Sequence, residues 1–317
     1  MRLIGGELEH REILEHICFT DSGRSSLRLF IRSGNSKKKF IIPDFLCHVV
    51  EDVLKEENVD YIFYNILDDL SINISSIQSK NYDVLYLINY FGVVHDIRAL
   101  NINNKIIIED NVFFSNFKNT EQYEKWFSFN SFRKISSLAD GSMVKTSLPV
   151  SECVKNSEAR FVKLKEKAKI NKYKYLNSGV GSERDYLRLF DEGEVMLDQQ
   201  SEVYKMSDAS LYRLLYIDKT NNQHVLKQRF DLMRQTFEKF DFGKNPDYYS
   251  FFPMRVKNRD ALRSAMKKHG VFLPVHWSCA TIKNRLYEEI ISIPLFTIYE
   301  DNEFMYLVEK LKREVQW

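Results

Sequence analysis

The 317-residue chain is short of the residues that staple or loosen a fold. Its four cysteines, Cys18, Cys47, Cys153 and Cys279, are scattered and show no CxxC spacing. That argues against a disulfide framework or a zinc site and fits a reducing cytoplasm. No histidine has a metal-ligand spacing, so no metal is expected. Eleven glycines and six prolines leave no flexible linker and no low-complexity tract, and the lobes are expected to pack tightly. An excess of one charge sign is missing as well: 46 basic residues face 44 acidic ones, for a net charge of +2. Neither nucleic acid nor an anionic membrane is therefore expected as a partner. No apolar run approaches the ~18–20 residues of a membrane span. The charged start, MRLIGGELEHREILEH, lacks the apolar centre of a signal peptide. No GxGxxG follows a strand and no GxxxxGK[ST] is present, so the common dinucleotide and nucleoside-triphosphate fingerprints are absent.

What is present is a large core, with 44% hydrophobic and 14% aromatic residues. From about residue 17 to 146, short apolar runs alternate with helical patterns. Strands are expected at Lys39–Pro43, Tyr61–Tyr64, Val84–Ile88, Lys105–Glu109, Lys125–Phe129 and Ser142–Lys145. The helical spacing of Phe45, Val49, Val50, Val53 and Leu54 separates the first two, and Asp96–Leu100 reads as a short helix. Near-continuous apolar strands with helices between them imply a mainly parallel sheet covered on both faces. Ligands of such sheets sit beyond the carboxyl ends of the strands, where Asn89 and Asp110 fall. From 151 to 240 the pattern is helical and charged. The lysine-rich Lys163–Lys174 reads as a solvated helix face, and a long helix within Leu214–Phe240, interrupted near Asn221–Gln223, links two lobes. The remainder is mixed: strands at Tyr248–Val256 and Val271–Val275, a helix at Asn258–His269 stopped by Gly270, and a last helix at Asn302–Glu314. The expected division is a large α/β domain over 1–215 and a smaller α+β domain over 216–317.

The chemistry concentrates in SFNSFRKISSLADGS (128–142) and IIIEDN (106–111). Lys134 follows one strand and Asp110 ends another. A lysine amine can form an imine with the aldehyde of pyridoxal phosphate, and a carboxylate can keep the cofactor's pyridine nitrogen protonated so that the ring accepts electrons. Arg133, next to Lys134, is either a source of positive charge that favours the free amine or an ordinary surface or phosphate-contacting arginine. Lysines in loops and acids at strand ends occur in any α/β protein, so the pair does not decide the matter alone. A phosphate also needs an anion site. TDSGRSSLRLF (20–30) offers a Ser22-Gly23 turn opening a helix at Arg24-Ser25-Ser26, where backbone N–H groups and the helix dipole favour an anion; an ordinary serine cap would look the same. Ser131 could reach the same phosphate. His276 is either a site residue or a hydrogen-bonded core histidine, while His48 and His95 read as structural.

In order, SGRSSL, IIPDFLCHVV, INYFG, IIIEDN, SFRKISSLADGS, FLPVHW and ISIPLF resemble the DegT/DnrJ/EryC1/StrS group, fold-type I pyridoxal-phosphate enzymes that are mostly sugar aminotransferases. The resemblance runs from about residue 20 to 312 and is closest to a divergent branch. It implies a fold-type I transferase: a large domain with a mainly parallel sheet under helices and a smaller C-terminal α+β domain. It implies Lys134 as the imine lysine and Asp110 as the partner of the pyridinium nitrogen. Gly23, Arg24, Ser25 and Ser131 would hold the phosphate, and Cys47 would lie against the cofactor ring. His276 and Trp277 would approach the substrate. A homodimer with sites at its interface is implied, as is transfer of an amino group from an amino acid such as glutamate to a keto sugar nucleotide for surface polysaccharide.

The chain departs from the group's pattern in three places. Cys47 stands where an aromatic or histidine commonly stacks on the ring. Phe113 stands where a polar residue follows the strand-end acid. The Gly-Tyr-Asn-x-Arg-Met segment is replaced by residues near Glu202–Ser210. Relatives of the fold also dehydrate sugars, a reading against which Lys134 argues because known dehydratases of the group carry histidine there. The three departures support a second alternative, a non-catalytic paralogue with a binding or scaffold role.

Overall fold

In the computed structural model, residues 16–117, 123–150, 154–216, 222–277 and 285–315 are described. The expectations on MRLIGGELEHREILE, Cys153, Cys279 and Asn221 lie outside these residues. The strands are β1 (His16–Thr20), β2 (Phe40–Pro43), β3 (Tyr61–Tyr64), β4 (Val84–Ile88), β5 (Ile106–Asn111), β6 (Trp126–Asn130), β7 (Ser142–Thr146), β8 (Val154–Lys155), β9 (Val203–Tyr204), β10 (Phe251–Arg255) and β11 (Ile290–Pro294). The helices are α1 (Gly23–Phe30), α2 (His48–Glu56), α3 (Ile74–Gln78), α4 (Phe132–Ile135), α5 (Ala159–Ser178), α6 (Glu183–Asp198), α7 (Asp208–Leu214), α8 (Gln223–Thr236), α9 (Arg259–Lys268), α10 (Leu286–Glu289) and α11 (Asp301–Glu314).

Seven strands form one sheet in the order β1-β7-β6-β5-β4-β2-β3. The run from β6 to β3 is parallel, whereas β7 is antiparallel to both β6 and β1. Strands β2, β4 and β6 are buried along their whole length, as expected of strands covered on both faces. A second apolar core joins α8, β10, β11, α9 and α11 through Phe230, Met233, Phe252, Met254, Ile291, Ile293, Phe304 and Leu311. The segment before β11 packs into the first core, to which Tyr287 and Leu46 both belong. The Tyr287 hydroxyl donates to the Asp44 carbonyl at 2.8 Å and accepts from the Leu46 N–H at 2.9 Å. Among the described residues no helix is long and apolar enough to cross a membrane.

Four expectations need correction. Asp96–Leu100 is not helical: Asp96 accepts from the Arg98 N–H and guanidinium, a local bond that competes with helix formation. Val271–Val275 is not a strand. The partner of β10 is β11, and Pro274 has no N–H with which to enter a ladder. The linking helix is shorter than Leu214–Phe240, beginning at Gln223 behind an Asn222 cap. The lysine-rich face of α5 is only partly solvated. Lys165 is buried, with Nζ on Glu194 at 2.6 Å, and Lys169 donates to the Ser136 and Leu138 carbonyls. Each ammonium found an acceptor inside, while Ile170, Tyr173 and Leu176 were left outside.

One glycine couples the lobes. Gly92, at φ +86°, accepts from the N–H groups of Asp247 and Tyr248. A Cβ there would lie 1.7 Å from the Tyr248 carbonyl oxygen. Gly92→Ala is expected to cost about 3 kcal/mol through combined backbone strain and overpacking, read as a lower midpoint in urea unfolding. An unchanged midpoint would show that the Tyr248 segment moves aside freely.

Candidate active site

Strand order brings the sequence candidates to one end of the sheet. Asp110 lies within β5, opposite Phe129 of β6, and Lys134 follows β6 on the single turn α4. Tyr86, one strand over on β4, donates its hydroxyl to Asp110 Oδ2 at 2.8 Å. Burial pushes the Asp110 carboxyl up to about 7. The Tyr86 bond, the Val112 N–H and the charge of Lys134 pull it only part of the way back. An acid held so far up is poised for a cationic partner that would make its ionised form favourable.

Lys134 is exposed, and its loop is pinned on both sides. Phe132 N–H bonds the Gly141 carbonyl, the Ser142 hydroxyl donates to the Asn130 carbonyl, and Lys169 bonds the two carbonyls beyond. The Lys134 charge acts on Asp110, Cys47 and His276 alike, so these four groups, distant in sequence, share one electrostatic neighbourhood. Ser131 is the buried N-cap of α4, and its side chain makes no cap bond.

The turn before α1 has the shape of an anion site. Ser22 caps the helix, accepting from the Ser25 N–H at 3.3 Å. Gly23 begins the helix against the Phe129 ring, where a Cβ would come to 3.3 Å. Arg24 turns its guanidinium towards α6, 2.7 Å from Asp198 and 3.7 Å from Glu194. Sequence reasoning missed Asp21 here. It is buried, takes hydrogen bonds from the Ser22 hydroxyl and from Gln200, and is raised above the usual carboxylate range by burial. The segment near Glu202–Ser210 runs alongside: the Asp21 N–H bonds the Tyr204 carbonyl, Met206 packs on Gly141, and Ser207 is held by Asp140.

Cys47 is the N-cap of α2, with Sγ 4.0 Å from His48 Nδ1. Burial would raise its thiol, but His48, Lys134 and the Val49 N–H outweigh burial and lower it. His48 is raised by the same contact, so it is less inert than a purely structural histidine. His95 is half-buried, bonds the Ile88 carbonyl and is held by desolvation at about 4.

His276 sits between the rings of Phe113 and Phe251 at 4.7 and 4.8 Å, with Nδ1 2.8 Å from the Ser292 hydroxyl. Burial and then Lys134 hold it well below its usual range, so it is neutral. Trp277 is buried among Phe45, Tyr90, Phe91 and Phe113. Phe113 is therefore part of an aromatic box that brings His276 to the neighbourhood of Lys134.

The residues present fit pyridoxal phosphate. A lysine amine, a half-buried acid in search of a cationic partner and a serine-glycine helix turn lie at one sheet end; Asp21, beside the turn, and Glu194 and Asp198, on Arg24, oppose an anion there. No family model and no curated protein matches the sequence. Solved structures do match. DesV of S. venezuelae, in complex with a ketimine intermediate, superposes with a TM-score of 0.63 at 13% identity over 94% of this chain and 84% of its own. NtdA of Bacillus subtilis with bound cofactor PMP gives 0.62 at 13%, over 94% and 73%. A DegT DnrJ EryC1 StrS aminotransferase from Brucella abortus gives 0.59 at 11%, over 95% and 86%. At these identities the likeness is one of architecture: the chain has the fold-type I fold that these aminotransferases share.

Proposed function

We propose that the protein is a pyridoxal-phosphate-dependent aminotransferase acting on a keto sugar nucleotide, with an amino acid, glutamate by resemblance, as donor. The observation that carries the reading is Asp110, held up to about 7 by burial in the electrostatic neighbourhood of Lys134. When bound, the cofactor would supply an electron sink conjugated to the donor's Cα. Lys134 would anchor it and then move the proton at Cα. Asp110, oriented by Tyr86, would hold the proton on the ring nitrogen by a charge-assisted bond. The Ser22–Ser25 turn and Ser131 would take the phosphate, Cys47 would lie against the ring, and neutral His276 with Trp277 would border the substrate.

Residues 1–215 form the cofactor-binding domain on this reading and 216–317 the small one. Lys134, where known dehydratases of the group carry histidine, favours transamination over dehydration, and Lys134, Asp110 and the serine-glycine turn together favour it over a scaffold role. Ile170 and Tyr173 on α5 and Tyr212 on α7 are all more than half exposed, and the Arg213–Glu166 pair at 2.8 Å links the two helices. Exposed apolar side chains on two helices joined in this way support a homodimer, since exposed apolar surface in quantity marks an interaction site. The free thiols of Cys18 and Cys47 accord with a cytoplasmic location.

The test is a visible spectrum of the purified protein with added pyridoxal phosphate. A yellow band that borohydride fixes on Lys134 in a peptide map, and that candidate amino donors bleach, is the expected result. No band at saturating cofactor would overturn the reading and favour a degenerate binding protein.

A further inference from the structure

Three cations from three helices meet one carboxylate beside the lysine loop. Glu194, on α6, lies 2.6 Å from Lys165 Nζ of α5 and 3.0 Å from Arg133, the residue before Lys134. Its other oxygen lies 3.7 Å from Arg24 in the anion-binding turn, and Asp198, one turn on, takes Arg24 at 2.7 Å. The Lys165 and Arg133 side chains are only 3% and 13% exposed, so water screens these two cations weakly, while Glu194 between them is 42% exposed and partly screened. Lys169 faces the same layer from α5. Burial, then the charges of Arg133, Lys165 and Lys172, hold it at about 7, with Asp140 opposing. The layer thus gathers Arg24, Arg133, Lys134, Lys165, Lys169 and Lys172, with Glu194, Asp198 and Asp140 as counter-charges. Burial pushes the Glu194 carboxyl up. The charges of Arg133 and Lys165, the Lys165 hydrogen bond and the charge of Lys134 together outweigh burial and hold it below the usual range.

Arg133 is therefore committed to Glu194, and its charge reaches Lys134 already partly cancelled. We propose that Glu194 is a positioning residue for Lys134: it ties the lysine loop to the anion-binding turn through Arg133 and Arg24, and it balances the cations that surround the reactive amine. The inference rests on Lys134 being that amine. A negative charge in this layer favours the ammonium form and a positive one the free amine.

The experiment uses cofactor-free protein and measures acetylation of Lys134 by an N-hydroxysuccinimide ester, followed by peptide mass spectrometry at neutral pH. Glu194→Gln is expected to speed labelling roughly three- to tenfold, and Arg133→Gln to slow it by a similar factor. The double variant should return near the parent, and Glu194→Asp, which keeps the charge, should match it. A merely structural role would lower thermal stability in both single variants and leave no opposite-signed labelling. Equal rates in all variants would overturn the inference. If Glu194→Gln does not fold, an unchanged rate in Arg133→Gln overturns it equally. Absence of a cofactor band in the parent would sink the proposed function while leaving the labelling order intact; a band with flat labelling would sink this inference alone.

Discussion

Replacing Lys134 with alanine is expected to abolish borohydride-stable attachment of pyridoxal phosphate and to lower turnover by roughly 10³–10⁴-fold, the scale of losing a positioned general base. The fold should survive. The side chain is exposed, and the helical turn that carries it is held by other groups: the Lys134 N–H bonds the Ser131 carbonyl, the Ser136 hydroxyl donates to the Phe132 carbonyl, and Lys169 clamps the residues beyond. None of these bonds uses the lysine amine. The cofactor should still bind non-covalently through the anion turn and Asp110, giving the spectrum of the free aldehyde rather than the imine. A small exogenous amine should restore part of the turnover, because it supplies the missing base without the tether. A variant that still traps cofactor at another lysine, with turnover intact, would move the assignment away from Lys134.

The sheet was legible because its strands are short and apolar, with β2, β4 and β6 buried along their whole length. Val84–Ile88 and Tyr61–Tyr64 form as the pattern indicates, since nothing in tertiary structure competes with that pattern. The irregular course of Val271–Val275 was not legible: Leu273 is buried like a strand residue, but Pro274 withholds an N–H and the place beside β10 is taken by β11. In the site, Lys134 and Asp110 stand out because each follows a recognisable strand. Tyr86 carried a weaker signal, a hydroxyl in the middle of a fully buried strand, which needs a polar partner. Glu194 carried none. It is one acid among many on a charged helix, and its importance comes from a 61-residue separation closed only by folding. Asp21 hid beside a serine-glycine turn that already had an explanation as a helix cap.

Replacing Asp110 with asparagine is expected to lower turnover roughly 10²–10³-fold, the scale of removing one preorganised electrostatic contact from an active site. Asparagine can still accept the Tyr86 hydroxyl, so geometry is largely kept and the charge is what is lost. The same substitution has a signature without cofactor. A carboxyl that titrates at about 7 in the folded chain and near 3.8 in the unfolded one takes up a proton on folding between those values. Its contribution to stability is fully present below the unfolded value and is lost as the pH rises through 7. Asparagine has no proton to lose. Measured by urea unfolding from pH 4 to 8, the cofactor-free variant should therefore gain on the parent as the pH rises, by at most about 4 kcal/mol for a shift of that size. Both chains keep Asp21, Glu194 and Lys169, so the difference isolates position 110. With pyridoxal phosphate bound, a pyridinium beside the ionised carboxylate should remove the parent's penalty at high pH, and the gap should close. A difference that stays flat with pH would mean that Asp110 is solvated and ionised in the folded chain. Asp110 would then no longer carry the assignment of this sheet end as the cofactor site.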